Sequence, residues 1–360
     1  MYLEMGIHNL NKILKSKCPQ VFKTVHLSTY AYKKVAIDIS LYMCKFKVIF
    51  GDDWLSAFVN LVSCLRRNDI HCVFIYDNGA PPEKSDEKAS RLEHKKKIEA
   101  KVVELLNALD HYSKTKEVNQ ILIDFYEKRH RNSPPKLLNS NIKVDINVVR
   151  EDVNKMQNQV INISPADYET TRELFRILQV PFFHATLEAE TTCSDLCINK
   201  YVDGVMSEDT DVLAYGAPVF LTKVDTQTDT CVEINYSEIL NLLEVSSEQF
   251  LDICIMCGTD YNKNIYKIGP EKAYKYIKQY GSIDSLPFDI TVLNHIRVRE
   301  LFRNYKRLEL DKISHCGQPD FIVLSDFLNI HKIKVDIDIM KDSFLKSDLV
   351  FVDEDIDMKE

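Results

Sequence analysis

The chain has 360 residues, of which 45% are hydrophobic and 28% are charged, a composition typical of a globular protein with a sizeable core. It contains no run of about 18 apolar residues, so no membrane span is expected, and its first residues lack the charged-then-apolar pattern of a signal peptide. The formal net charge of −8 argues by itself against a nucleic-acid partner, although a protein that collects carboxylates to hold cations also lowers its own net charge.

Two apolar segments near the amino terminus each lead to an acidic residue. Residues 33–43 contain a predicted strand that ends at Asp38, and residues 71–82 contain a second one, followed by Asp77 and a turn rich in Gly and Pro. Residues 54–65 between them are apolar at helical spacing. The order strand, helix, strand predicts a parallel sheet, in which ligands bind at the carboxyl ends of the strands, where both acids lie.

A charged helix is predicted next, over residues 83–101, with a basic stripe that includes Lys95, Lys96 and Lys97. These lysines fit a solvated helix face and a surface that steers a nucleic-acid strand equally well. The helix continues with an apolar face through residues 102–109. Residues 110–160 are polar and weakly patterned, which predicts a long insertion that is mobile or partly helical.

The pattern becomes regular again at Ser164, where a cap residue, a first-turn proline and Asp167 predict the start of a helix. Residues 180–185 predict a strand, and the helix that follows begins at Glu188 and Glu190.

Residues 204–218 place three acids, Glu208, Asp209 and Asp211, between a predicted strand end and a predicted helix start. Two carboxylates 4 Å apart repel each other by roughly 4 kcal/mol at an effective dielectric constant of 20. The stretch is therefore either a solvated turn with a helix cap or a cation site.

Two helices are predicted after this stretch. Residues 247–261 form an apolar helix that ends at Gly258 and Asp260, and a turn at Gly269 leads to a helix that stops at Gly281. The ten cysteines are scattered, and only Cys254 and Cys257 have metal-like spacing without a second pair, so reduced core thiols are expected and zinc is not.

Five segments thus place acids at the ends of predicted elements. One such acid is more often a cap or a solvated residue, but five at the same edge of one sheet favour a shared site. Carboxylate oxygens without His or paired Cys suit Mg²⁺ or Mn²⁺, and seven acids suit two ions, which together can hydrolyse a phosphodiester. The seven acids are Asp38, Asp77, Glu188, Glu190, Asp209, Asp211 and Asp260.

Several motifs, taken in order, resemble those of the flap endonuclease family, the structure-specific 5′ nucleases of the xeroderma-pigmentosum-G type. They are MGIHNL, AIDIS, FIYDNGAPPEKS, EAET, SEDTDVLAYGAP and CGTDY with IGPEKA, and they lie within residues 1–100 and 160–290. The resemblance implies an α/β fold with a central, mostly parallel sheet flanked by helices (the PIN-like 5′ nuclease fold), a helical arch insertion and a helix–two-turn–helix element.

The same resemblance implies a function: cleavage of 5′ flaps or related branched DNA in replication, repair or recombination, with two Mg²⁺ ions that Mn²⁺ can replace. It implies that the seven acids form the metal site and that Glu208 caps a helix or faces solvent. Lys84 and Arg91, seven residues apart on one helix face, match the family's residues that approach the scissile phosphate. Without the resemblance, Lys84 would be interpreted as a solvated lysine.

The segment KIGPEKA resembles the helix–two-turn–helix element, whose amides and helix terminus grip duplex phosphate, often beside a K⁺ ion. It implies that Lys267, Gly269 and Lys272 bind DNA.

The chain also departs from the family pattern. Met1 to Glu4 precede the usual Met-Gly start, and Cys44 stands where typical flap enzymes have a base-stacking aromatic, with Tyr42 two residues earlier. No sliding-clamp motif is found near the tail. A 5′ exonuclease, a Holliday-junction or excision-repair type junction nuclease, an inactive DNA-binding scaffold and a phosphatase-like metal hydrolase are the alternatives.

The composition, rich in Asn, Ile, Lys and Tyr, is typical of an AT-rich genome such as that of a large DNA virus. We expect a monomer that binds branched DNA inside the cell, in the nucleus or at cytoplasmic replication sites. The predicted regions are an N-terminal nuclease region with the start of the arch, an extended arch insertion, an internal nuclease region, the helix–two-turn–helix with further helices, and an extension with an acidic tail. They cover residues 1–110, 111–160, 161–262, 263–330 and 331–360, respectively.

Overall fold

The computed structural model describes residues 6–130, 144–160 and 162–345. Its centre is a seven-stranded sheet. The strands are β1 (Lys23–His26), β2 (Lys34–Asp38), β3 (His71–Tyr76), β4 (Phe182–His184), β5 (Gly204–Met206), β6 (Val219–Asp225) and β7 (Thr230–Asn235). Their spatial order is β1-β7-β6-β5-β2-β3-β4. The five strands from β6 to β4 are parallel, and β7 runs antiparallel to both β6 and β1.

Helices cover both faces of the sheet and form the arch. In the first half of the chain they are α1 (Leu10–Lys17), α2 (Ile39–Phe50), α3 (Trp54–Arg67), α4 (Ser85–Thr115), α5 (Gln120–His130), α6 (Ile146–Gln159) and α7 (Pro165–Ile177). In the second half they are α8 (Ala189–Ile198), α9 (Asp211–Ala214), α10 (Tyr236–Leu243), α11 (Ser247–Cys257), α12 (Pro270–Tyr280), α13 (His295–Arg303), α14 (Phe321–Ile330) and α15 (Ile337–Leu345).

Neighbouring residues of the central strands point to opposite faces of the sheet, and both faces are buried. Ala36 and Val73 belong to one apolar cluster, with α1, α8 and α10 to α13. Ile37 and Phe74 belong to another, with α2, α3, α7, α14 and α15. Burial on both sides explains why the central strands are apolar without alternation, as a parallel sheet requires. The predicted α/β fold is confirmed.

The stretch Ile39–Arg67 contains α2 and α3 and, in the part of the chain that the structure describes, is the one segment long and apolar enough to cross a membrane. Most of it is buried inside the protein, and a short turn at Gly51–Asp53 divides it. A pair of core helices passes the same composition test, so the segment is weak support for a membrane span.

The predicted helix starts and ends are largely confirmed. Ser164 and Asp167 form a reciprocal capping box, in which the Asp167 N–H donates to Ser164 Oγ and the Ser164 N–H donates to the Asp167 carboxylate. Gly281 ends α12 with a φ of 86°, a left-handed conformation that favours glycine.

The arch is built from α4, α5 and α6, which share a separate apolar cluster that includes Leu105, Leu122 and Val149. The helix predicted over residues 83–109 corresponds to α4, which continues to Thr115 and is therefore longer than expected. The insertion is partly helical, because it contains α5 and α6. Residues 131–143 lie outside the described residues. The boundaries of the regions given above stay predictions.

Two parts of the fold were missed by sequence reasoning. Strands β1, β6 and β7 form one side of the sheet, but β1 is mostly exposed and its Lys-Thr-Val-His sequence has little apolar pattern. The second missed part is α15, whose Phe344 is fully buried in the core cluster with α3. Residues 346–360, with the acidic tail, lie outside the described part of the chain, as do Met1 to Met5.

Candidate active site

Two of the predicted acids lie where neighbouring parallel strands end. Asp38 ends β2, and its Oδ1 accepts hydrogen bonds from the N–H groups of Ser40 (2.9 Å) and Leu41 (3.3 Å), so it caps α2. Asp77 follows β3, and its Oδ1 accepts from the N–H of Ala189 at 2.7 Å. This bond fixes the end of β3 to the first residue of α8.

The start of α8 supplies two further acids, Glu188 and Glu190, which share one cation. The Nζ of Lys84 lies 2.5 Å from Oε1 of Glu188 and 3.2 Å from Oε1 of Glu190. It also lies 3.1 Å from Oδ2 of Asp260. Burial lowers the pKa of Lys84, but Glu190, Glu188 and Asp260 outweigh it, so its pKa is raised and the ammonium stays charged.

Arg91, on the arch helix, binds one of these acids, Asp260. Its Nη2 donates to both carboxylate oxygens of Asp260 at 2.9 Å, and its Nε donates to Glu87 at 2.8 Å. The two predicted catalytic cations therefore both contact Asp260. Lys84 lies directly before α4, and Arg91 lies within that helix.

Asp209 lies in the turn between β5 and α9, and Asp211 is the first residue of α9. The turn is shaped by the Asp209 N–H, which donates to Ser207 Oγ at 3.1 Å, and by the Asp211 N–H, which donates to Asp209 Oδ1 at 2.8 Å. Glu208 of this turn corrects a prediction, because it neither caps a helix nor simply faces solvent. Its carboxylate pairs with Lys45 at 2.7 Å and accepts from the Thr222 hydroxyl at 3.2 Å.

The amino-terminal segment packs directly on this acidic turn, as the resemblance to the family implied. Gly6 has a φ of 80°, and a Cβ placed on it would lie 2.1 Å from Asp209 Oδ1 and 2.7 Å from the Asp211 nitrogen. Two residues later, the His8 N–H donates to the Gly258 carbonyl at 3.0 Å. The segment therefore joins the Asp209 turn to the turn that contains Asp260. The motif MGIHNL was its one sequence signal.

Burial and mutual repulsion make the carboxylates of this cluster costly to ionise. Six of the seven are buried, and Asp77 is exposed. Burial and the neighbouring Glu190 raise the pKa values of Glu188 and Asp209 to about 7. Burial, Asp77 and Glu190 raise the pKa of Asp38 well above its usual value, and burial with Asp209 and Asp260 does the same to the pKa of Asp211.

The donor set fits divalent cations. Both side-chain oxygens of Asp211 are buried without a hydrogen-bond partner in the described structure. With all groups ionised, the seven acids and the two cations Lys84 and Arg91 carry a formal charge of −5. Hard oxygen ligands in excess of local positive charge suit Mg²⁺ or Mn²⁺. As it stands, no group of three or more His, Cys, Asp or Glu side chains in residues 6–130, 144–160 and 162–345 is arranged to hold a metal ion.

The three lysines predicted to bind DNA on the arch all lie on the helix α4. Lys95 is half-buried and donates to Asn162. Lys97 forms an exposed pair with Glu93 at 2.7 Å, and Lys96 is exposed. Their role as a steering surface stays a prediction.

Residues 258–269 connect α11 to α12, and the residues predicted to bind duplex lie at the end of this connection. Gly269 is the N-cap of α12, and a Cβ on it would meet nothing within 4 Å. Lys267 and Lys272 are exposed, and the Lys272 ammonium donates to the Lys267 carbonyl at 3.0 Å. The predicted K⁺ and duplex contacts stay predictions.

Two residues that depart from the family pattern, Cys44 and Tyr42, differ in exposure. Cys44 is exposed, whereas the other nine cysteines are buried, which corrects the expectation that all ten are core thiols. Tyr42 is buried, with its ring 5.5 Å from that of Phe46, so it does not present a free face.

Comparison with known proteins gives matches along most of the chain. Residues 5–98 match the XPG N-terminal domain, and residues 179–260 match the XPG I-region. A probable RAD2-like endonuclease, 076L of Invertebrate iridescent virus 3, is 35% identical over 358 residues, which cover 91% of this chain and 94% of the relative. Flap endonuclease 1 of Enterocytozoon bieneusi (strain H348) is 30% identical over 297 residues, which cover 78% of this chain and 72% of the relative.

Among solved structures, the catalytic core of Rad2 in complex with DNA substrate is similar, with a TM-score of 0.65 and 15% sequence identity. The match covers 95% of this chain and 99% of that one. At this level of identity the likeness shows a shared fold.

Proposed function

Because the chain belongs to the XPG family of nucleases, we propose that it is a divalent-metal-dependent, structure-specific DNA endonuclease that hydrolyses phosphodiester bonds at 5′ flaps or related junctions. The observation that supports this best is the cluster of seven carboxylates at one edge of the sheet, in which Asp211 has two buried, unpartnered oxygens. Arg91 of the arch helix contacts the same cluster. A hydrolase of small phosphate esters would need no arch.

We assign the seven acids the role of holding two Mg²⁺ ions, which Mn²⁺ can replace. When bound, such ions polarise the phosphate and activate water for attack. Lys84 and Arg91 contact the acid cluster, where their charges would offset the charge that develops on the phosphate in the transition state. Asp38 and Asp77 also orient α2 and α8 through backbone hydrogen bonds, so the same groups shape the site.

The substrate follows from where the exposed basic groups lie. Lys267 and Lys272 beside Gly269 form a duplex-binding surface, and the arch carries the exposed Lys96 and Lys97. Local basic surfaces of this kind bind phosphate although the whole chain is acidic. The name of one of the two relatives above, flap endonuclease 1, favours a flap DNA substrate. We propose a monomer that acts at intracellular sites of DNA replication or repair, as a viral or cellular enzyme.

The test is a cleavage series on 5′-labelled flap, nicked, gapped and four-way DNA. We expect cleavage of flap DNA with Mg²⁺ or Mn²⁺ and none in EDTA. Asp211→Ala should abolish cleavage but leave flap binding near the wild-type level, since the fold and the basic surfaces are unchanged. Full activity in EDTA, or wild-type rates for Asp211→Ala, would contradict the metal-dependent function, and preference for the four-way substrate would assign the chain to junction resolution.

A further inference from the structure

Two tyrosine hydroxyls form a buried relay beside the acid cluster. The Tyr261 hydroxyl donates to Oε2 of Glu188 at 2.7 Å, and the hydroxyl oxygens of Tyr261 and Tyr215 lie 2.9 Å apart. Both tyrosines are buried. We propose that Tyr261, supported by Tyr215, is a positioning residue that holds Glu188 for divalent-metal binding; this inference rests on the proposed function.

The direction of the relay follows from the number of protons that it contains. An ionised carboxylate only accepts hydrogen bonds, so Tyr261 uses its single proton for Glu188. The Tyr261 oxygen then accepts a hydrogen bond from the Tyr215 hydroxyl. The relay therefore runs from Tyr215 through Tyr261 to Glu188.

The two oxygens of Glu188 have different partners. Oε1 binds the Lys84 ammonium at 2.5 Å, whereas Oε2 binds Tyr261. A neutral hydroxyl fixes the carboxylate without cancelling its charge, so Oε1 can exchange Lys84 for another cation while the orientation is kept. Partners of this kind orient metal-ligating carboxylates in other proteins and typically change metal affinity by about 10- to 100-fold.

Tyr261 can act in this way because its own position is fixed. Its N–H donates to Thr259 Oγ1 at 3.0 Å, and Asn262 Nδ2 donates to the Ile255 carbonyl at 2.9 Å, which closes the turn after α11. Its ring lies 5.3 Å from that of Phe302 in an edge-on contact. The turn also contains Asp260, so one rigid unit sets the positions of two acids from different parts of the chain.

The test variant is Tyr261→Phe, which keeps the ring and its contacts with Phe302 and Lys84 but removes the hydroxyl. We expect calorimetric titration of the DNA-free protein with Mn²⁺ to show about 10-fold weaker binding than in the wild type. Flap cleavage should be slow at low Mn²⁺ and should recover at saturating Mn²⁺. Tyr215→Phe should give a smaller loss, and the double variant should be no weaker than Tyr261→Phe, because Tyr215 acts through Tyr261.

The matched control is Tyr30→Phe. Tyr30 is also buried and donates to a glutamate, Glu233, at 2.5 Å, but at the β1–β7 side of the sheet. The Tyr30→Phe substitution should lower the melting temperature in EDTA and leave the Mn²⁺ affinity at the wild-type value.

Two results would overturn the proposal, and they are distinguishable. Wild-type Mn²⁺ affinity in Tyr261→Phe, with a melting temperature lowered as in Tyr30→Phe, would show a merely structural tyrosine. Failure of the wild-type protein itself to bind Mn²⁺ would overturn the metal-dependent function together with this inference.

Discussion

Arg91 and Asp260, which are 169 positions apart, are joined by two hydrogen bonds of 2.9 Å from one guanidinium nitrogen to both carboxylate oxygens. Arg91 belongs to the arch helix α4 and Asp260 to the turn after α11. The contact therefore ties the arch to the acid cluster in the absence of substrate. A DNA phosphate that enters the site would compete with Asp260 for the same cation.

Replacing either arch cation should slow the chemical step. Because each charge would act more on the transition state than on the bound substrate, we expect Lys84→Ala and Arg91→Ala to reduce single-turnover flap cleavage by on the order of 10²-fold, with a much smaller change in Kd. Lys96→Ala is the control, since this exposed lysine should mainly alter the salt dependence of binding. Equal, small, salt-sensitive losses in all three variants would show that the arch helix is only a steering surface.

Lys84 should also act as the counter-ion of the metal-free cluster. Its side chain is 10% exposed and pairs with three carboxylates, so Lys84→Met leaves buried charge uncompensated and should destabilise the protein in EDTA by about 3 kcal/mol. Mn²⁺ should bind more tightly than to the wild type, because a competing cation is gone. Thermal melts with and without metal, and calorimetric Mn²⁺ titration, measure the two effects.

Lys47→Met provides the comparison for this variant. Lys47 is a buried lysine paired with Asp167 at 2.5 Å, on the other face of the sheet from α8. The Lys47→Met variant should be less stable than the wild type in EDTA but should bind Mn²⁺ with wild-type affinity. Weaker Mn²⁺ binding in Lys84→Met would contradict the role of Lys84 as a competing cation.

The contact between Gly6 and the Asp209 turn gives a prediction that does not involve charge. In Gly6→Ala the new Cβ cannot remain 2.1 Å from Asp209 Oδ1, so the turn or the amino-terminal segment must shift. We expect flap cleavage to fall by at least about 10²-fold, since a displacement of 1 Å in a catalytic site costs that much. Gly281→Ala shares the positive φ, 86° against 80°, but its Cβ meets nothing within 4 Å. Comparable cleavage by both variants would show that the contact with Asp209 is unimportant.

Substitution of Gly269 tests whether the start of α12 binds duplex DNA. Its φ of −103° suits any residue and a Cβ there has open space, so Gly269→Val should fold, apart from roughly 1 kcal/mol for a poorer helix cap. The added methyl groups should keep a phosphate away from the backbone N–H groups at the start of α12, and weaken duplex binding more than single-strand binding. Fluorescence anisotropy with both DNAs measures this, and an equal loss on both would refute a duplex-specific role. Lys267→Ala and Lys272→Ala should each make the plot of log K against log salt shallower, with a slope smaller in magnitude by about 0.9.

The sequence by itself determined the features that depend on residues a few positions apart. Helix caps such as that of Ser164 and Asp167, the stop at Gly281, the strand that ends at Asp38 and the strand that precedes Asp77 were all predictable, because caps and periodicity are local. The parallel sheet followed from the alternation of strands and helices, and its geometry placed the acids at one edge. The resemblance to the family added the proposed role of each acid.

Only the tertiary structure decided which residues meet across the chain. Lys84 contacts Glu188 over 104 positions and Tyr261 contacts Glu188 over 73, while Gly6 meets the Asp209 turn, because β2 lies between β5 and β3. The order of strands depends on how helices pack on both faces of the sheet, and no local pattern contains it. The edge strand β1, which is mostly exposed, was missed, and Glu208, which pairs with Lys45 of α2, was mispredicted, both for the same reason. Their environment is set by distant elements rather than by their sequence neighbours.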